Sequence, residues 1–208
     1  MKLNSLHDLF VHELRDIYDA ERQLVKALRK MAKAASADDL RNAFEEHLAQ
    51  TEGQINRLES VFEEFDLKPK GRTCEAMKGM VEEGKTVMDS AADEATGDAG
   101  LIAAAQKVEH YEIASYGCLA TWARQLGNDN AARLLRETLA EEKNADAKLN
   151  ALAEGRINAE AGPTAEPAKE MRTQGDGRSE HNGHHRAGEE ENKRAGEMTE
   201  ARSDMAPI

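Results

Sequence analysis

Acidic side chains within apolar helical stripes are the feature of this sequence that could do chemistry. Projected at about 100° per residue, Glu21 lies at the edge of one apolar stripe and Glu142 within another. Glu109 and Glu112 are three residues apart and share one side of a third predicted helix. Carboxylates on the inner side of helices are costly unless they are protonated, paired or bound to metal. The spacing therefore predicts a buried cluster of carboxylates that could bind cations.

A dinuclear metal site between four helices commonly takes one Glu from each of two helices and Glu-x-x-His from each of the other two. Here Glu21 and Glu112, or Glu109 in its place, fit the single-carboxylate positions. The paired positions depart from this pattern, because Glu142 is followed by Ala145 where His is expected, with Asp146 adjacent. The second helix has Thr51 and Gln54 at its paired positions. The sequence predicts an incomplete dinuclear iron or manganese site.

The candidate metal ligands are six side chains, and each of them has an ordinary structural alternative. His47 lies on an apolar stripe and is either a ligand or a hydrogen-bonded core histidine. The glutamates are either ligands or partly exposed groups bridged by Arg and Lys, as on most charged helix faces. The predicted ligand set is Glu21, Glu109, Glu112, Glu142, His47 and Asp146.

The elements that must position these groups are long amphipathic helices. Apolar residues recur at i, i+3 and i+4 over residues 4–34, 38–65, 99–126 and 130–154, which predicts four long helices. A shorter helix is predicted over residues 75–92, between the second and third. Two helical hairpins joined by a long crossover with its own helix are typical of ferritin-like bundles. We therefore predict an all-α, ferritin-like four-helix bundle.

The C-terminal part of the chain has a different composition. From Gly155 onward there is no Phe, Trp, Tyr, Leu or Val, and Gly, Glu, Arg and Asn are abundant. Such a segment buries too little apolar surface to offset the entropy lost on ordering. We predict a bundle domain over residues 1–154 and a disordered tail over residues 155–208, which could solubilise the protein or bind a protein partner.

Overall composition excludes several classes of function. The 208-residue chain has a net charge of −12 without a basic stripe, which predicts no nucleic-acid binding. There is no run of 18 apolar residues, so no membrane span is predicted. The N-terminus lacks the pattern of a secretory signal, and Cys74 and Cys118 form no disulfide framework. These features predict a soluble, cytoplasmic protein.

A longer run in the third predicted helix supports a family resemblance. Residues 101–117, reading LIAAAQKVEHYEIASYG, strongly resemble the YciF/YciE-like family of bacterial ferritin-like stress-response proteins. The match covers residues 3–154 and includes similar segments in the other helices, at residues 16–24, 47–54, 74–77 and 137–143.

The resemblance implies a rubrerythrin-like bundle that forms a homodimer, is induced under stress and carries a dinuclear metal motif. It assigns Glu21, Glu109, Glu112 and Glu142 as metal ligands. Two functions are compatible with these features. One is a di-iron or dimanganese protein that handles peroxide or iron, and the other is a metal-free helical dimer that acts as a structural or partner-binding stress protein.

Overall fold

The computed structural model describes residues 2–162, and these are helical except for short connections. Five helices follow in order: α1 (Leu6–Ala34), α2 (Asp38–Glu64), α3 (Glu75–Ser90), α4 (Glu94–Gln125) and α5 (Asp129–Leu152). A π-helical turn, Ala153–Ile157, and a last turn, Asn158–Glu160, extend α5. Residues 2–162 contain no strand, so the predicted all-α class is confirmed for this part of the chain.

The four long helices pack against one another in pairs. α1 packs on α2 and α4, and α5 packs on α2 and α4, while the shorter α3 lies against α4 and α1. Each hairpin buries the apolar stripes that the sequence predicted, and the largest buried side chains include Phe10, Phe44 and Phe62. The Tyr18 and Phe62 rings meet edge to face across α1 and α2, with centroids 5.4 Å apart. The stripes therefore meet in one apolar core, which surrounds the polar positions described below.

Hydrogen bonds from side chains fix where the helices begin. Ser5 caps α1 by accepting from the Asp8 amide at 3.0 Å, and Asn128 caps α5 by accepting from the Ala131 amide at 2.9 Å. Gly127, with φ of +81°, supplies the left-handed residue that closes α4 and turns the chain into α5. These short turns keep each hairpin tight and its facing residues in register.

The turn between α1 and α2 is held by a residue from a distant helix. The buried Asp98 of α4 accepts hydrogen bonds from the Ser36 and Ala37 amides at 2.9 and 2.8 Å. Ala37 precedes α2 and has no capping side chain of its own. Asp98 therefore satisfies the two backbone amides that lead into α2, and it ties α4 to the first hairpin.

Two predicted boundaries are wrong. α4 begins at Glu94 rather than near residue 99, because Asp93 caps it by accepting from the Thr96 amide at 2.7 Å. The helical part continues to Glu160 rather than ending at residue 154. Ile157 is buried and continues the α5 stripe one turn beyond Ala153. The remainder of the predicted disordered tail, residues 163–208, lies outside the described residues.

Within residues 2–162, no helix is both long enough and apolar enough to cross a lipid bilayer.

Candidate metal centre

Four helices each bring polar side chains to one buried position between them. α1 contributes Glu21, α2 contributes His47, α4 contributes Glu109 and Glu112, and α5 contributes Glu142. Glu21, Glu112 and Glu142 are completely buried, and Glu109 and His47 are only 2% and 6% exposed. Glu109 and Glu112 lie on one face of α4 because residues three apart share a helix face. Five of the six predicted ligands are therefore buried within the helical core.

Four of these side chains come close enough to share one ion. One ligating atom from each of His47, Glu109, Glu112 and Glu142 lies within 4.8 Å of the others. The His47 Nε2 atom is 3.2 Å from Glu109 Oε1 and 3.7 Å from Glu142 Oε2. Neither ring nitrogen of His47 makes a hydrogen bond. The His47 Nε2 atom therefore faces the carboxylates of Glu109 and Glu142.

Glu21 lies beside this group of four and is anchored separately. The buried Tyr116 hydroxyl donates a hydrogen bond to Glu21 Oε1, while Glu21 Oε2 has no partner. Tyr116 is on α4, one helical turn after Glu112. The tyrosine therefore fixes one oxygen of Glu21 and leaves the other free inside the protein.

Asp146 lies away from the cluster. Its Oδ1 atom is 3.4 Å from His110 Nε2 and 3.4 Å from the amide nitrogen of Gln106, both on α4. The Asp146 side chain is 26% exposed. Although Asp146 lies only one helical turn after Glu142, its side chain contacts α4 at His110 and Gln106 rather than the buried carboxylates. The structure therefore does not bring Asp146 together with the other predicted ligands.

The unpartnered polar atoms of the site fit a metal ion. Neither oxygen of Glu112, one oxygen each of Glu21, Glu109 and Glu142, and neither nitrogen of His47 has a hydrogen-bond partner. Buried polar groups are nearly always paired, and each group left unpaired costs about 1–3 kcal/mol. So many unpaired ligand atoms in one place are expected where an ion completes the site. Oxygen and imidazole ligands suit divalent iron and manganese.

Burial raises the pKa of the clustered carboxyls. Burial and the neighbouring Glu142 charge raise the pKa of Glu21 to about 8, and the same two causes raise that of Glu109 to about 10. Burial is also the main reason that the pKa of Glu142 rises to about 7 and that of Glu112 rises well above its usual range. Without a cation, most of these groups hold protons at pH 7.

His47 responds to burial in the opposite sense. Burial lowers the pKa of its imidazole to about 4, so the ring is neutral at pH 7. A neutral imidazole has a lone pair on one nitrogen and is the form that binds metals. His47 is therefore ready to coordinate without first losing a proton.

Sequence reasoning did not foresee how Gln54 serves the site. Gln54 is completely buried, and its amide nitrogen donates to Glu142 Oε1 and, at 3.1 Å, to Glu141 Oε2. Arg57 then binds both Glu141 oxygens, at 2.8 and 2.9 Å. Partial burial opposes the effect, but the hydrogen bonds from Arg57 and Gln54 lower the pKa of Glu141. The available signal was the spacing of Gln54 and Arg57, which puts both on the side of α2 that faces α5.

Thr51, the other polar residue at a paired position of α2, makes its hydrogen bond within its own helix. The Thr51 hydroxyl donates to the His47 carbonyl at 2.9 Å, one turn earlier on the same helix. It is therefore committed to its own backbone, and α2 reaches the site through His47 and Gln54.

A small polar cavity connects the cluster to the surface. It has a volume of about 70 Å³, and its polar lining residues include the buried His47 and Glu109 together with Gln50, Asn144 and Lys148. An ion pair between Lys148 and Glu46 joins α5 to α2 at this opening. The cavity is large enough for a few water-sized molecules, so it offers ions and small oxidants a route to the ligands.

Comparisons with known proteins agree with the helical fold. Residues 5–162 match the sequence profile of a family described as a domain of unknown function, DUF892. Protein YciF of Escherichia coli strain K12 is 52% identical over 162 residues, which cover 77% of this chain and 98% of that protein.

Solved structures of other proteins are similar to this helical fold. The crystal structure of the Escherichia coli stress protein YciF matches with a TM-score of 0.72, covering 75% of this chain and 99% of that one. YcfI of Rhodopseudomonas palustris, presented as a candidate structural protein, is 45% identical with a TM-score of 0.70, over 72% and 95% of the two chains. A protein of Xanthomonas campestris pv. campestris shares the fold, with a TM-score of 0.61 and 23% identity. The match covers 74% of this chain and 95% of that one.

Proposed function

Because this chain belongs to the DUF892 family, we propose that it is a ferritin-like stress-response protein that binds divalent iron or manganese in its buried cluster. The observation that carries the proposal is the set of unpartnered ligand atoms on His47, Glu109, Glu112 and Glu142. The relative with 52% identity is described as a stress protein, which supports the cellular role. The pairwise packing of four long helices supports the ferritin-like bundle.

The site has enough ligand atoms for two ions. His47, Glu109, Glu112 and Glu142 would hold the first ion, since their ligating atoms lie within 4.8 Å of one another. Glu21 has a free buried oxygen beside them and would join Glu112 and Glu142 in holding the second. A carboxylate has two oxygens, so a glutamate can serve both ions. We therefore retain a dinuclear site, with Glu21 as the ligand specific to the second position.

Handling of peroxide or of iron is the activity that this site supports best. When bound, two divalent iron ions would supply the two electrons that, with two protons, reduce hydrogen peroxide to two water molecules. Tyr116 and Gln54 hold Glu21 and Glu142 in place, which limits the reorganisation of the ligands during the reaction. The apolar core around the cluster excludes bulk water, while the small polar cavity admits molecules of the size of peroxide.

The proposal is tested by measuring metal content. The full-length chain is loaded anaerobically with Fe²⁺ or with Mn²⁺, desalted and analysed for metal per chain. We expect two ions per chain in the unmodified protein, one in Glu21→Ala, and none in a Glu112→Ala, Glu142→Ala double variant. Glu141→Gln is the matched control, because Glu141 is paired with Arg57 outside the cluster, and it should retain both ions. Absence of metal from the unmodified protein would reject the proposal.

A metal-free structural role is the second candidate. It is favoured by the description of the Rhodopseudomonas relative as a candidate structural protein, and it would suit a homodimer. In that case the chain would bind neither metal, and replacing Glu21 or Glu142 by Gln would leave its behaviour in cells unchanged. Sedimentation of the full-length protein tests the expected homodimer independently of metal.

A further inference from the structure

A second, larger cavity is mostly apolar and shares one lining residue, Glu109, with the small polar cavity. It has a volume of about 610 Å³ and lies between α1, α3 and α4. Most of its wall is apolar, and side chains from all three helices contribute, among them Leu24, Met31, Met80, Met88, Leu101 and Val108. Its volume falls within the range of about 300–1,000 Å³ that is usual for sites that bind small organic molecules.

Small residues determine on which side of α3 this space opens. A Cβ atom at Gly84 of α3 would lie 3.2 Å from the Ala104 Cβ of α4, and one at Gly100 would collide with Val87. Close approach at these two glycines brings α3 tightly onto α4. The space therefore remains on the α1 side of α3, where unbranched methionine side chains can adapt to different occupants.

The inner end of the cavity is formed by a residue of the candidate metal centre. Glu109 is 2% exposed and lines both this cavity and the small polar cavity. Its Oε2 atom is buried and has no hydrogen-bond partner. Glu109 is the single buried charged side chain among the residues that line the apolar cavity. An occupant can therefore fill the apolar part and place one polar group next to the metal ligands.

The charges around the cavity determine the kind of molecule that fits. The mouth has two cations, Lys30 and Lys85, and two anions, Glu82 and Asp89, so it does not select for either charge. An anionic group at the inner end would lose its hydration inside the protein, and no buried cation lines the cavity to pair with it. The best occupant is an uncharged chain molecule with one terminal hydroxyl, which can hydrogen-bond to Glu109.

We propose that the cavity between α1, α3 and α4 binds uncharged, unbranched amphiphiles such as medium-chain primary alcohols, with the hydroxyl at Glu109. Binding of such a molecule requires no metal. Its use as a substrate or reductant at the buried cluster rests on the proposed function. The two ideas therefore fail separately: a chain that binds alcohol but no metal would refute only the metal proposal.

The test is calorimetric titration of the full-length, metal-free protein with 1-octanol, with octanoate and with 1-chlorooctane. We expect octanol to bind at least about tenfold more tightly than octanoate, which corresponds to about 1.4 kcal/mol. One good hydrogen bond should favour octanol over 1-chlorooctane about fivefold. This second preference should disappear in Glu109→Leu, whatever the effect of that change on overall affinity.

Two variants of α3 locate the binding site. Val81 lines the cavity, so Val81→Trp should fill it and weaken octanol binding at least about tenfold. Thr86 is exposed on the same helix outside the cavity, so Thr86→Trp should bind as the unmodified protein does. Absence of octanol binding, or equal binding by both variants, would overturn the proposal. It would also be overturned if Val81→Trp separated a dimer into monomers, since a second copy would then cover the cavity.

Discussion

Replacing Glu142 by Gln should stabilise the metal-free protein while weakening its metal site. Glu142 is completely buried, and burial raises its pKa to about 7 from a usual value of 4.5. In the folded protein the group therefore retains its proton to higher pH than in the unfolded chain. Its contribution to stability is fully present below pH 4.5 and is lost as the pH rises through 7. A glutamine has no such proton to lose.

The size of the effect follows from the shift in pKa. A difference of 2.5 between the folded and usual pKa values corresponds to about 3 kcal/mol. Glutamine can still accept the hydrogen bond that Gln54 donates to Glu142, so the pairing of Gln54 is retained. For a helical region of this size, about 3 kcal/mol corresponds to a rise in Tm of about 6–12 °C. The variant and the unmodified protein should have the same free energy of unfolding at pH 4.5. At pH 8 the variant should be more stable by the whole of this difference.

Urea denaturation followed by circular dichroism, in the presence of a chelator and at several pH values, measures this difference. Glu141→Gln is the matched control at the adjacent residue. Glu141 is ion-paired with Arg57, which helps to hold its pKa below the usual value, so its replacement should not stabilise the protein at pH 8. If Glu142→Gln is no more stable than the unmodified protein at pH 8, the carboxyl is not destabilised by burial and the electrostatic reasoning is wrong.

Three further predictions concern the same region. Titration calorimetry should show metal affinity increasing from pH 5 to pH 8. The reason is that Glu21, Glu109 and Glu142, whose pKa values are about 8, 10 and 7, must lose protons to bind a cation. An affinity independent of pH would contradict this. His47→Gln should weaken metal binding by at least about tenfold without loss of helical circular dichroism, and unchanged affinity would exclude His47 as a ligand. Asp98→Ala should lower the free energy of unfolding, measured by urea denaturation, by about 2 kcal/mol, because two backbone amides lose their acceptor. Unaltered stability would show that these hydrogen bonds contribute little.

Much of the helical arrangement could be predicted because the apolar residues follow one period over long segments. The stripe on α1 predicted the burial of Ile17, Leu24 and Leu28, and Glu21 is buried with them. The three-residue spacing of Glu109 and Glu112 likewise predicted a shared inner face. Projection along each helix suffices for such residues because the core lies on one side of the helix.

Other features depend on contacts between distant segments of the chain. The projection of each helix by itself cannot predict such contacts. The predicted helix began at residue 99, yet Asp98 is inside α4 and binds the turn before α2. Asp146 lies one position beyond Ala145, and that rotation of about 100° turns it from the cluster toward His110. Ile157 lies two residues after Gly155 in a polar segment, but it is buried because the π-helical turn Ala153–Ile157 extends α5.

Anomalous diffraction from crystals of the full-length protein loaded with Mn²⁺ tests the central claim most directly. We predict a strong anomalous peak bounded by His47, Glu109, Glu112 and Glu142, and a second peak beside Glu21. A crystal at the same manganese concentration with no peak among these side chains would contradict the account, even if manganese were found elsewhere on the molecule.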